Sequence, residues 1–227
     1  RDVERSRGLG DVYKRQAVAV LSDMKTNTSY IYYGGVAEKL GLAERDTSKT
    51  VHSIWEEEIF GLMHPDDLLE KHLQELRFFH FLKSIPSRKR RDYYLTHNMR
   101  MRDNSGRYVH ILHRIFYIAN DSNGSVWLAL CLYNFSIDTS LSCIIINSTN
   151  GQVLELEKQS CNDLLSDREK EVLQLIDKGK MSKDIARILS ISINTVNRHR
   201  QNILEKLQVS NSIEACRVAK ELNLLHA

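Results

Sequence analysis

The last third of the chain narrows the choice of fold more than any other part, because it marks where successive helices begin and end. Ser166 stands three residues before Glu169, which is the spacing of a capping box at a helix start. Gly179 follows at a position where a glycine ends such a helix. This stretch therefore predicts a capped helix between Ser166 and Gly179.

Two further helices are predicted with almost no chain between them. We expect Ser182 to cap the first and Ser192 to cap the second, which runs to about Leu207. Only the dipeptide Ser190-Ile191 connects them, and a last helix is predicted for about 212–222. Two short helices joined by so short a turn predict a helix-turn-helix, whose second helix can enter the major groove of DNA.

The second helix of this predicted pair has two chemically different faces. At about 100° per residue, its apolar side chains share one arc, and they are Val196, Ile203, Leu204 and Leu207. A separate arc holds side chains suited to hydrogen bonds with base edges, namely Asn194, Asn197, Arg198 and Gln201. At the margins, where phosphates would lie, stand Lys183, Thr195, His199, Arg200 and Lys206. The pattern thus predicts base contacts flanked by phosphate contacts.

The stretch Leu165–Ala215 resembles the helix-turn-helix of LuxR-type transcription regulators almost position by position. The matching elements are Arg168-Glu169, Glu171-Val172-Leu173, Gly179, Ser182, Ile185-Ala186, Leu189, Thr195-Val196, His199, Lys206-Leu207 and Glu214-Ala215. The resemblance implies a module that binds double-stranded DNA as a homodimer, with the fourth helix as the dimer contact. The candidate interface residues, which would alternatively cap the core, are Ala215, Cys216, Ala219 and Leu222. RNA polymerase is a further candidate partner.

The sequence departs from the family pattern at two positions. Asn197 stands where the family often has Lys, and Ser212, one residue before Ile213, replaces a common Arg. These departures leave open the operator sequence and the strength of one polar contact, but not the fold.

The region before this module combines one strong helical pattern with several strand patterns. The segment Asp66–Lys83 follows Pro65 and has helical spacing of Leu69, Leu73, Leu76, Phe79 and His80. Glycine-containing turns at 103–106 and 120–124 separate three β-rich stretches, which are Tyr94–Arg102, Arg107–Ala119 and Ser125–Phe135. The pair Asn150-Gly151 predicts a further hairpin. The region is therefore expected to be an α+β domain with an antiparallel meander.

Two short motifs in this region resemble those of PAS domains. The first is HPDD at His64–Asp67, and the second is the turn in DNSGRYV, which begins at Asp103. The resemblance covers about Tyr30–Ser136 and implies a domain that senses a small ligand, redox state or light, or that mediates dimerisation. The Asn-Cys-Arg-Phe segment of flavin photosensors surrounds neither Cys131 nor Cys143.

No sequence pattern in this region identifies a cofactor, a metal site or a catalytic reaction. The histidines share no ligand-like spacing, and they are His64, His72, His80, His97, His110 and His113. The four cysteines lack Cys-x-x-Cys spacing, which fits free thiols in a reducing cytoplasm. The basic run Arg88–Arg91 is interpreted as a solvated loop. Core or sheet-face positions are expected for Tyr108, Phe116, Trp127, Tyr133 and Phe135.

The length of the chain limits how many domains it can form, and its net charge limits what can be inferred about DNA binding. A chain of 227 residues is long enough for two modest domains, and its net charge of +3 is too mild to indicate DNA binding without the local pattern. We expect a non-native or disordered tail over 1–16, a native basic tail being the alternative. A PAS-like domain is then expected over 17–157 and an all-α four-helix LuxR-type helix-turn-helix domain over 158–227. The apolar run near Ala17–Leu21 is far too short to span a bilayer.

The function expected from this plan is that of a one-component, cytoplasmic transcription regulator. Its N-terminal domain would sense a small ligand or control association. The alternative is a constitutive DNA-binding protein whose N-terminal domain only dimerises or docks to a partner. A phosphoreceiver is disfavoured because the alternating βα pattern is missing, and an enzyme because no nucleophile motif, metal cluster or phosphate loop appears in the sequence.

Overall fold

A computed structural model describes residues 16–120, 126–137, 143–155, 164–207, 209, 211–222 and 224–225. The chain divides between Leu156 and Glu157 into two compact units, which we call the N-terminal and C-terminal units. The predicted tail lies outside the described residues except for Gln16, and so does the predicted turn at 120–124 except for Asn120.

The N-terminal unit is built on one antiparallel sheet. Its described strands are β1 (Val18–Asp23), β2 (Thr28–Tyr33), β3 (Thr47–Val51), β4 (Tyr93–Arg102), β5 (Tyr108–Asn120), β6 (Val126–Phe135), β7 (Ile144–Asn147) and β8 (Val153–Glu155). They are ordered β3-β2-β1-β6-β5-β4-β7-β8. The long strands β4, β5 and β6 confirm the predicted meander, and β7 pairs with β8 across the predicted Asn150-Gly151 turn. An antiparallel arrangement is therefore confirmed, although the sequence did not resolve β1, β2 and β3 as separate strands.

The sheet buries the residues that point to one face of each strand. In β5 the alternating positions Ile111, His113, Ile115 and Tyr117 are buried, which is the period of two expected for a strand with one covered face. Most of these positions are apolar, but His113 is fully buried. A polar residue on the covered face needs a specific partner, and this one lies close to helix α3 (Pro65–Ser84).

Helix α3 follows two shorter helices, α1 (Gly35–Leu40) and α2 (Glu57–Phe60). His64 caps its start by accepting a hydrogen bond from the Asp66 amide, and Pro65 occupies the first helical position, as predicted. The predicted stripe is buried at Leu73, Leu76 and Phe79, whereas Leu69 and His80 are only half-buried. The sequence missed a second buried row, which consists of Lys71, Gln74, Phe78 and Leu82. A helix that buries two rows shows no single apolar stripe in its sequence.

The interpretation of Arg88–Arg91 as a loop is wrong, because the run lies in a 3-10 helix, Ser87–Asp92. Arg90 is half-buried, and its Nε donates a hydrogen bond to the Ile85 carbonyl at 3.0 Å. The carbonyls at the end of α3 have no partner within the helix, so this arginine satisfies one of the groups just beyond it.

The C-terminal unit contains four described helices, α4 (Asp167–Asp177), α5 (Ser182–Leu189), α6 (Ile193–Leu207) and α7 (Ser212–Glu221). The capping box of Ser166 and Glu169 is present at the start of α4, and Gly179 adopts a φ of +73° after its end. One prediction is wrong here, since Ser182 is the first helical residue of α5 and Met181 occupies the cap position without a side-chain hydrogen bond. The four helices nevertheless confirm that the C-terminal unit is helical.

The turn between α5 and α6 is short and is held by a left-handed residue and a backbone hydrogen bond. Ser190 adopts a left-handed conformation with a φ of +54°, and its neighbour Ile191 donates its N–H to the Ala186 carbonyl at 3.0 Å. Ser192 then accepts a hydrogen bond from the Thr195 amide at 3.0 Å, which confirms it as the cap of α6. Within the described residues, no helix is both long and apolar enough to cross a membrane.

Candidate DNA-binding site

Helix α6 presents the two faces that the sequence predicts. Val196, Ile203 and Leu207 are buried in the core of the unit, and Leu204 is half-buried at its margin. All four predicted base-reading residues are exposed, and they are Asn194, Asn197, Arg198 and Gln201. They occupy the first nine positions of this 15-residue helix, so the polar face lies toward its N-terminal end.

The start of α6 is held by its own hydroxyl groups. The Ser192 and Thr195 hydroxyl oxygens lie 2.8 Å apart, and Ser192 also accepts from the Thr195 amide. Thr195 is therefore half-buried and engaged at the cap, while Lys183 on α5 is exposed. The positive end of the helix dipole coincides with this cap, which favours an anionic group nearby.

Two of the predicted phosphate residues make contacts inside the unit. Arg200 Nη2 donates to the Ser212 hydroxyl at 2.9 Å, and Lys206 Nζ donates to Glu169 Oε2 at 2.7 Å. The structure thus assigns Arg200 the role of linking α6 to the start of α7, with Ser212 as its partner. His199 is half-buried. Each of these two cations therefore has an oxygen partner inside the unit, and the phosphate contacts of Arg200 and Lys206 stay predictions.

Glu169 takes part both in the capping box with Ser166 and in an ion pair with Lys206. Its Oε2 accepts from the Ser166 amide at 2.8 Å as well as from Lys206, and its side chain is almost fully buried. Burial alone would raise the pKa of Glu169, but the hydrogen bonds from Lys206 and Ser166 hold it below its usual value. The charge of Lys206 therefore stabilises the start of α4.

The four residues predicted as the dimer interface lie inside the unit. Their exposed fractions lie between 0 and 9%, and they are Ala215, Cys216, Ala219 and Leu222. Side chains with so little exposed surface cannot form a contact with a second chain unless the unit opens, so the alternative, that they cap the core, fits the structure. On the same helix Ile213 is 84% exposed.

An open groove of about 510 Å³ lies between α6 and the start of α7. The residues that line it are Asn197, Arg200, Gln201, Leu204, Asn211, Ser212 and Ile213. Two of them, Asn197 and Gln201, belong to the predicted reading face. That face therefore continues into a concave surface, which a helical wheel of α6 alone does not show.

The two PAS-like motifs have clear structural roles in the N-terminal unit. Asp67 of HPDD accepts hydrogen bonds from the Arg100 amide at 2.6 Å and from its Nε at 2.9 Å, which ties the start of α3 to β4. Asp103 of the DNSG turn accepts from the amides of Ser105 and Arg107, and Gly106 supplies a φ of +81°. Both motifs stabilise the local fold.

The aromatic residues named in the sequence analysis lie on different faces. Tyr133 is buried, whereas Tyr108 and Phe135 are nearly half exposed. Phe116 stacks on Tyr94 with ring centroids 5.0 Å apart, and Trp127 Nε1 donates to the Asp23 carboxylate. The core and sheet-face interpretation is thus confirmed.

Two histidines that no sequence spacing singled out are brought together by the sheet. His97 on β4 and His113 on β5 are direct cross-strand partners, and His97 Nε2 lies 3.0 Å from His113 Nδ1. Burial lowers the pKa of His97 to about 4 and holds that of His113 well below its usual value, so both rings are neutral near pH 7. The remaining predicted histidines, His64, His72, His80 and His110, do not join this pair.

Comparison with known proteins supports the same location for the DNA-binding module. Residues 163–219 match the family described as "Bacterial regulatory proteins, luxR family". The chain is 35% identical over 104 residues to the uncharacterized response regulatory protein YgeK of Escherichia coli, covering 41% of this chain and 71% of that one. It is 50% identical over 68 residues to the transcriptional activator protein CarR of Pectobacterium carotovorum, covering 30% of this chain but only 28% of CarR.

A solved structure also matches along most of the length. The chain is 14% identical to VqmA of Vibrio cholerae, with coverage of 96% of this chain and 88% of that chain and a TM-score of 0.34. Values this low support neither a shared fold nor a shared ligand. The family assignment therefore comes from the C-terminal match and from YgeK, and this chain belongs to the luxR family of bacterial regulatory proteins.

Proposed function

We propose that this protein is a sequence-specific DNA-binding transcription regulator that reads its operator with the exposed face of α6. The observation that carries the proposal is the exposure of all four polar residues, Asn194, Asn197, Arg198 and Gln201, on a helix whose opposite face is buried. Amide and guanidinium side chains can hydrogen-bond two atoms of one base in the major groove, which makes such a face suited to reading sequence.

The phosphate contacts are proposed for the margins of this face. Lys183 is exposed at the start of α5, and Thr195 stands at the capped start of α6. A lysine beside the groove attracts the backbone without regard to sequence, because it interacts with phosphate charge. We leave Arg200 and Lys206 out of this set, since their side chains bind Ser212 and Glu169.

The reading face is tested with Arg198→Ala in the full chain. The specific site is a duplex selected by the wild-type protein from a random pool, and the reference is the same duplex scrambled. Loss of a paired contact with guanine should cost about 1 to 3 kcal/mol on the selected duplex and little on the scrambled one. Fluorescence anisotropy at several salt concentrations measures both affinities.

Two further variants serve as controls for this measurement. Lys183→Ala should weaken both duplexes and lower the salt slope by about one unit, as for the loss of one phosphate contact. Arg88→Ala, an exposed arginine in the other unit, should change neither affinity. If Arg198→Ala weakens both duplexes equally with a shallower salt slope, Arg198 is a phosphate anchor and the proposed reading face is wrong.

We also propose that the N-terminal unit is a PAS-like sensor that controls how two copies of the chain meet on DNA. The antiparallel sheet with inserted helices and the polar residues buried beneath α3 support this proposal, because buried polar groups on a covered face can recognise a small molecule. A unit that only mediates association would need no such polar interior.

A small molecule bound to the purified protein would distinguish a sensor from a unit that only mediates association. A sensor should release a bound small molecule when the full chain is denatured, and adding the extracted molecule back should raise its melting temperature, since a ligand of the native state stabilises it. Mass spectrometry of the extract and a thermal melt measure this. Repeated purifications that yield no bound molecule and no extract-dependent stabilisation would favour the association module.

A further inference from the structure

Three side chains of metal-binding type meet beneath helix α3 of the N-terminal unit. They are Glu75 on α3, His113 on β5 and Cys131 on β6, and one donor atom from each lies within 4.8 Å of the other two. Their separation in sequence hides the cluster, because three different elements contribute one residue each. The side chain of His113 is fully buried and that of Glu75 is mostly buried.

The hydrogen bond between the two histidines orients the His113 ring. His97 Nε2 lies 3.0 Å from His113 Nδ1, so one proton lies between these two nitrogens. With that proton on His113 Nδ1, the other nitrogen of a neutral His113 ring, Nε2, carries a lone pair.

This lone pair points into a group of other electron-rich atoms. His113 Nε2 has no hydrogen-bond partner among the described residues, and it lies 3.7 Å from Glu75 Oε1. Two acceptor atoms at this distance repel each other, and Lys71 Nζ, 2.9 Å from Glu75 Oε1, relieves this only at the Glu75 oxygen. Cys131 supplies a third donor atom at the same place.

We propose that Glu75, His113 and Cys131 bind a zinc ion, with His97 as a positioning residue. A nitrogen, a sulfur and an oxygen ligand together suit zinc better than magnesium or calcium, which prefer oxygen ligands. Metal–ligand bonds of about 2.0 to 2.3 Å place the donors of a tetrahedral site about 3.5 Å apart, so this cluster has to close by roughly 1 Å. The fourth position is left for water or a small ligand.

The role of His97 follows from the hydrogen bond to His113. A zinc-bound histidine usually donates its second ring N–H to an acceptor, which orients the ring and makes the ligating nitrogen more basic. His97 Nε2 is such an acceptor, 3.0 Å from His113 Nδ1. His97 therefore acts through His113 and does not contact the ion.

The charges around the site allow a divalent cation in spite of a nearby lysine. Lys71 Nζ lies 2.9 Å from Glu75 Oε1, and a second carboxylate, Glu56, is held by the hydroxyls of Ser22 and Ser29 and attracts Lys71. When zinc binds, Cys131 releases its proton to solvent and a zinc–sulfur bond forms. The ion and Lys71 then carry three positive charges, which Glu75, Glu56 and the thiolate balance.

The test uses the full chain without an affinity tag, in a reducing buffer that does not chelate metals, and cobalt(II) as a spectroscopic probe for zinc. One equivalent of cobalt should produce the near-ultraviolet thiolate-to-cobalt absorption together with the visible bands of a four-coordinate ion, and zinc should displace it. Absence of both signals in the wild-type protein overturns the proposal without recourse to any variant.

Variants identify the ligands. Cys131→Ser should abolish the thiolate absorption, whereas Cys143→Ser, a matched half-buried cysteine of the same unit, should leave it unchanged. His97→Phe should weaken metal binding about 10- to 100-fold, as expected for loss of the hydrogen bond behind a ligand. Thiolate absorption that persists in Cys131→Ser places the metal elsewhere and overturns the proposal.

A second ligand variant covers the case in which Cys131→Ser does not fold. Glu75→Gln should keep the thiolate absorption, alter the visible bands and lower the affinity at least tenfold. Both tryptophans, Trp55 and Trp127, lie in the N-terminal unit, so their fluorescence reports whether a variant remains folded. If folded Glu75→Gln binds cobalt as tightly as the wild-type protein does, the proposed site is also contradicted.

Discussion

At the residue scale, Glu169 shows how one side chain serves both local and long-range structure. Its position three residues after Ser166 predicts the capping box, and the structure contains it. The contact with Lys206, 37 residues further along, could not be predicted, because local spacing says nothing about which distant cation packs against the cap. Lys206 was consequently assigned to phosphate.

Glu169→Gln should lower the free energy of unfolding of the C-terminal unit by about 1 to 3 kcal/mol at neutral pH. The substitution removes a cap and leaves Lys206 without its anionic partner. The pKa of Glu169 is lowered in the folded state, so this stabilisation is full above its unfolded pKa and is lost as the pH falls through the folded value. The difference between variant and wild type should therefore shrink below about pH 4.

Urea unfolding followed by far-ultraviolet circular dichroism measures this effect. Tryptophan fluorescence provides an internal reference, because both tryptophans lie in the other unit and their transition should not move. Glu171→Gln is the matched control, since Glu171 is half exposed in its pair with Arg168 and such pairs contribute less than about 1 kcal/mol. Equal effects of the two substitutions would show that the buried contact of Glu169 is unimportant.

At the element scale, α7 shows what a sequence pattern leaves open. Its small and apolar residues predict a contact face, but a helical pattern cannot tell whether that face meets its own domain or a second chain. The structure packs Ala215 and Ala219 inside the unit and leaves Ile213 exposed. By contrast, the two faces of α6 could be predicted, because one is apolar and the other is polar.

Ala219→Asp should unfold the C-terminal unit and not simply separate a dimer. Ala219 has no exposed surface, and a buried carboxylate without a partner costs several kcal/mol. Ile213→Asp, the same change at an exposed position of α7, should alter stability by less than about 0.5 kcal/mol. Thermal melting by circular dichroism, with the mass from analytical ultracentrifugation, distinguishes the two effects. A folded, monomeric Ala219→Asp protein would restore the residue to the interface.

At the scale of the whole molecule, the features that could be predicted are those encoded by residues close together in the sequence. The caps at Ser166 and Ser192, the glycine turns at Gly106 and Gly151 and the long meander strands are encoded within a few positions, and these agree with the structure. The cluster of Glu75, His113 and Cys131 depends on strand register and on how α3 packs, neither of which a single sequence reveals. The candidate metal site therefore appears only after folding, whereas the candidate reading face is visible beforehand.

The two outer strands of the sheet also limit how the protein can associate. An unpaired strand edge is a template for another chain, and proteins protect such edges by keeping them short and charged. Among the described residues the outer strands are β3, of five residues, and β8 (Val153–Glu155). Lys49 in β3 is exposed and forms an ion pair with Glu58 at 2.6 Å. Strand addition is therefore disfavoured at the β3 edge, which protects that side of the N-terminal unit from aggregating edge to edge into extended sheets.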